Sequence, residues 1–82
     1  MRVWILSRND GESGWIIGVY ATKADARKDF EEQVSEVTRY GGFQRENAKV
    51  STDGEGGVHF WVGYDTVELD PYDVEGAPQI AA

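Results

Sequence analysis

The chain of 82 residues contains no cysteine. That absence excludes a disulfide framework and thiolate chemistry, and it fits a reducing compartment, so the cytoplasm is the expected setting. No apolar stretch approaches the roughly 18 residues of a membrane span. Met1-Arg2-Val3-Trp4 enters strand-like sequence at once, without the basic, apolar and cleavage regions of an export signal. The expectation is a protein neither exported nor inserted in a membrane.

Positive charge is the second shortage. All eight Lys and Arg lie in residues 1–49, where eight acids balance them, so the net charge of −7 belongs to residues 50–82. Those residues carry Asp53, Glu55, Asp65, Glu68, Asp70, Asp73 and Glu75. Nucleic-acid binding draws its affinity from Lys and Arg clusters, so DNA or RNA is not expected as a direct ligand.

What the chain does have is apolar mass. It is 40% hydrophobic and 28% charged, with three Trp, four Tyr and three Phe. This composition indicates a globular chain, and its length suits a single thin core.

Arg2 to Ser7 is a short run rich in β-branched and aromatic residues, with apolar side chains on both parities, and reads as a central strand. The turn formers of residues 8–14, including Asp10-Gly11, lead to a second strand over residues 15–20. Gly18 interrupts it and marks a bulge or a close approach to the backbone. Thr22-Lys23-Ala24-Asp25 then offers an N-cap hydroxyl with a carboxylate three residues on. The stripe Ala26, Phe30, Val34 and Val37 follows at helical spacing, and Gly41-Gly42 supplies the stop.

Residues 48–52 read as a third strand and 53–57 as a Gly-rich turn. Residues 58–69 read as one long strand, bent or bulged near Asp65-Thr66 because Val58, Phe60, Val62 and Tyr64 differ in parity from Val67 and Leu69. Pro71 is expected to end it. The fold class is therefore α+β: a small antiparallel or mixed sheet in the order β-β-α-β-β, with one amphipathic helix packed on one face. Residues 1–70 form the domain and residues 71–82 a flexible acidic tail.

Apolar residues exceed what one helix-covered face requires, since Trp4 and Leu6 oppose Val3 and Ile5, and His59 and Trp61 oppose Phe60 and Val62. One set must lack the helix's cover, and its burial against a second copy of the chain, a homodimer, is the simplest expectation.

No catalytic residues are assigned and the chain is not expected to be an enzyme. His59, the one histidine, has no nucleophile or orienting carboxylate at a recognisable spacing and reads as a structural strand residue. No metal site and no cofactor are assigned either. Asp65, Glu68, Asp70 and Asp73 lack the spacing of a calcium loop, and a strand sends Asp65 and Glu68 to opposite faces. Asp53-Gly54-Glu55-Gly56-Gly57 lacks the Lys and Ser/Thr of a phosphate-binding loop and reads as a hairpin turn.

Ile16 to Ala26 (IIGVYATKADA), with a short strand before it and a strand ending in Val67-Glu68-Leu69-Asp70 after the helix, resembles small uncharacterised proteins of bacteria and their phages. The resemblance covers residues 2–40 and 58–70. It implies a phage or mobile-element accessory protein that inhibits or modulates a host protein, and it supplies no functional residue.

The functional expectation is a small acidic protein-binding module. Asp65, Glu68, Asp70, Asp73 and Glu75, beside Trp61, would engage a basic surface on a protein partner. The alternative is a structural or assembly protein that self-associates through an exposed sheet face or edge strand.

Overall fold

The computed structural model describes residues 1–40 and 48–74. Five strands and one helix follow in the order β1 (Arg2–Asn9), β2 (Gly14–Tyr20), α1 (Lys23–Tyr40), β3 (Lys49–Thr52), β4 (Val58–Val62) and β5 (Asp65–Asp73). The strands form one antiparallel sheet in the spatial order β2-β1-β5-β4-β3, with α1 packed on one side. The fold is α+β.

The β1–β2 turn is built by its own side chains. Asn9 Oδ1 accepts the Gly11 N–H at 2.7 Å, and Asp10 Oδ1 accepts those of Glu12 and Ser13 at 2.9 Å each. Gly11 takes φ +94°, a conformation that favours a residue without Cβ. Further along, Leu6 pairs with Gly18 and Ser7 with Ile16, so Ile17 is the extra residue of a bulge. Gly18 also meets the expectation of a close approach, because a Cβ there would lie 2.6 Å from the Tyr20 hydroxyl. Thr22 Oγ1 caps α1 by accepting the Asp25 N–H at 3.1 Å.

Two sequence expectations are corrected. Residues 58–69 are not one bent strand but a hairpin, with Val62 opposite Asp65 across Gly63-Tyr64. Gly63 at φ +60° provides the positive angle that opens a two-residue turn with Gly first. The parity change is the mark of that turn: with Val62 opposite Asp65, Phe60 falls opposite Val67 and Val58 opposite Leu69, so all return to one face. Nor does Pro71 end β5, which continues to Asp73. Pairing with β4 stops at Leu69, so beyond it β5 has only β1 as neighbour, and a residue without N–H is tolerated at such an edge. Val74 N–H then donates to the Met1 carbonyl at 2.6 Å. The rest of the expected tail and the Gly41-Gly42 helix stop lie outside the described residues.

The core lies between sheet and helix. Trp4 and Leu6 of β1, Phe60 and Val62 of β4, and Val67 and Leu69 of β5 meet Ala26, Val34 and Val37 of α1. Fully burying such aliphatic side chains contributes about 1.5–3 kcal/mol each. This settles which apolar set faces the helix, and it leaves Val3, Ile5, His59 and Trp61 on the other side.

Candidate functional site

The second face of the sheet is uncovered by any element among the described residues. Strand alternation brings to it Val3 and Ile5 of β1, Ile16 and Val19 of β2, His59 and Trp61 of β4, and Glu68, Asp70 and Tyr72 of β5. Ile16 and Val19 are 63% and 58% exposed, and Tyr72 is 52% exposed. Val3, Ile5 and Trp61 are half-buried.

Register orders this face. Ile5 lies between Val19 and Asp70, and Ser7 between Ile16 and Glu68. Glu68 is also opposite His59, while Trp61 lies between Thr66 and Lys49. Because β5 is the middle strand of the five, Glu68 and Asp70 occupy the centre. The β1–β2 half is aliphatic, and the β3–β4 half carries the imidazole and the indole.

His59 Nε2 stands 2.7 Å from Asp70 Oδ1, a diagonal contact across the β4–β5 ladder. That hydrogen bond is the main reason the imidazole titrates above its usual range, with the charges of Asp70, Glu68 and Asp53 adding to it and burial opposing it. Asp53 reaches the same place from the β3–β4 turn. Its Oδ1 accepts the N–H groups of Gly57 at 2.9 Å and Glu55 at 2.8 Å, which hold its carboxyl below the usual carboxylate range. The ligand atoms of Asp53, His59 and Asp70 all lie within 4.8 Å of one another.

The residues anticipated from sequence separate here. Trp61, Glu68 and Asp70 share the uncovered face. Asp65 and Asp73 fall on the opposite parity at the two ends of β5, and Asp73 lies 3.5 Å from Arg2. Glu75 lies outside the described residues. The acids of β5 are thus dispersed along the strand. Asp53, assigned to turn chemistry alone, is the partner that sequence reasoning missed; the signal was the unrecognised hairpin at Gly63-Tyr64, which aligns the end of β5 with the β3–β4 turn.

Comparison with protein-family models, curated proteins and solved structures returns no match. Among the described residues no helix is long and apolar enough to cross a membrane.

Proposed function

We propose that this chain is a protein-binding module whose uncovered sheet face receives a basic surface of a protein partner. The observation that carries this reading is the face itself: Val3, Ile5, Ile16 and Val19 form an aliphatic half-face beside Glu68 and Asp70 at the sheet centre. Burial of the aliphatic half supplies the non-directional attraction, at about 25 cal/mol per Å² removed from water. The central acids supply orientation and faster encounter with a positive partner. His59 matches Asp70, whereas Glu68 has no ion-pair partner among the described residues. Modulation of a host protein, the role implied by the resemblance, is one form of this activity.

A second copy of the chain suits the face less well. A two-fold axis through the centre of the face stacks β5 on β5, setting Glu68 and Asp70 against their own copies in a chain of net charge −7. Strand addition at β2 meets the bulge at Ile17, a feature that disfavours regular pairing along an edge.

The test is affinity selection from the native host with the wild type, Val19→Asp, and Glu31→Gln on the exposed side of α1 as a control. Any protein retained by the wild type is then purified and its binding repeated in isolation at low and high salt. A partner lost with Val19→Asp, kept with Glu31→Gln and weakened by salt supports the assignment. Equal retention by Val19→Asp refutes it.

A further inference from the structure

We propose that Asp53, His59 and Asp70 form a binding site for a divalent first-row transition ion of the Zn²⁺ type. Three separate segments converge here: Asp53 opens the β3–β4 turn, His59 is the second residue of β4, and Asp70 lies late in β5. A carboxylate–imidazole–carboxylate set within 4.8 Å is a compact N/O donor group. Zn²⁺ binds through imidazole nitrogen and carboxylate oxygen at about 2.0–2.2 Å, which places neighbouring ligand atoms roughly 3.3 Å apart in a tetrahedral shell. The 2.7 Å contact between His59 and Asp70 needs to open by about half an ångström, and Asp53 needs to close by at most about 1.5 Å, to meet that spacing.

The residue at position 57 is the second observation. A Cβ on Gly57 would lie 2.5 Å from Asp53 Oδ2 and 2.6 Å from Asp70 Oδ1. Both carboxylate oxygens therefore close on space that any side chain would fill, and glycine is what lets them converge. Asp53 is oriented for the purpose, since the backbone N–H groups of Glu55 and Gly57 occupy Oδ1 and leave Oδ2 directed at that space.

Donor chemistry selects the ion. Mg²⁺ and Ca²⁺ require shells of oxygen atoms, six to eight for Ca²⁺, whereas an imidazole with two carboxylates suits Zn²⁺, Co²⁺ or Ni²⁺. Three protein ligands leave a fourth tetrahedral position open to water. His59 and Asp70 present the ion on the uncovered face, beside Glu68. The proposal is independent of the identity of any protein partner.

The experiment is titration of the full chain with Zn²⁺ alone and Co²⁺ alone, by calorimetry and by the visible absorption of Co²⁺. Parallel titrations use Asp53→Asn, His59→Gln and Gly57→Ala, with circular dichroism on each variant. Asp53→Asn keeps an oxygen acceptor for the turn N–H groups and replaces the charged Oδ2 by an amide NH2 that cannot ligate a cation, so its result stands even if His59→Gln fails to fold. The expected result is one equivalent bound, with affinity lower by at least about tenfold in Asp53→Asn and in Gly57→Ala. The His59 ring nitrogens should shift on Zn²⁺ addition in a long-range ¹H–¹⁵N spectrum, with no response to Mg²⁺ at the same concentration. Absence of stoichiometric binding at millimolar ion, or equal binding by Asp53→Asn, overturns the proposal.

Discussion

Tyr20 donates its phenolic hydrogen to Asp29 Oδ2 at 2.6 Å, tying the end of β2 to the second turn of α1. This bond is the main reason the phenol is pushed up to about 12, with burial and the charges of Asp29 and Glu32 acting in the same direction. A folded value above the ordinary one near 10 means that the native state holds a proton the unfolded chain has released. The stabilisation is complete below pH 10 and is lost as pH rises towards 12. Tyr20→Phe should cost about 1 kcal/mol at neutral pH and flatten the fall in stability across that alkaline window. Urea unfolding of both proteins at neutral pH and at pH 11 measures it; an equally steep alkaline fall in Tyr20→Phe contradicts the assignment.

Gly63 opens the β4–β5 hairpin at φ +60°. An L-residue with a side chain is strained there by about 1–2 kcal/mol, so Gly63→Ala should lower stability by that amount. Gly54, where a Cβ would meet nothing within 4 Å and φ is not positive, is the control. Comparable unfolding midpoints for Gly63→Ala and Gly54→Ala would show that the turn is not built this way.

Leu6 is fully buried against the helix, and Ile16 is largely exposed on the opposite face. Leu6→Ala should destabilise the chain by about 2–5 kcal/mol. Ile16→Ala should change stability by no more than about 0.5 kcal/mol, the range of surface substitutions. Chemical denaturation checks both, and similar losses at the two positions would mean that the second face is also packed.

Much of this architecture is legible in the sequence because local rules agree with the tertiary result. The Thr22 cap and the Ala26, Phe30, Val34, Val37 stripe give the helix, and Gly18 marks the bulge. Local rules do not separate a strand bulge from a two-residue hairpin when both reverse parity, so β4 and β5 read as one element. The site inherits that error. Asp53 and Asp70 are far apart along the chain and meet only because Gly63-Tyr64 folds β5 back beside β4 and the β3–β4 turn closes over its end. Which apolar set faces α1 was likewise undecided by periodicity, since Trp4 and Leu6 alternate with Val3 and Ile5; the pairing of β1 with β5 decides it.

With Glu68 and Asp70 at the centre of the uncovered face, isolated protein at micromolar concentration and low salt should sediment as a monomer. Added salt screens those charges and should favour association if the aliphatic half-face pairs with itself. A dimer at low salt, unchanged by Glu68→Gln, would reassign the face to self-association.

The central claim is most directly tested by the affinity of a captured and purified partner for the wild type and for Glu68→Lys, measured by calorimetry over a series of salt concentrations. The account predicts tighter wild-type binding at low salt, a marked loss on charge reversal, and a shallower salt dependence in the variant. Equal affinities and equal salt slopes for the two proteins would contradict it.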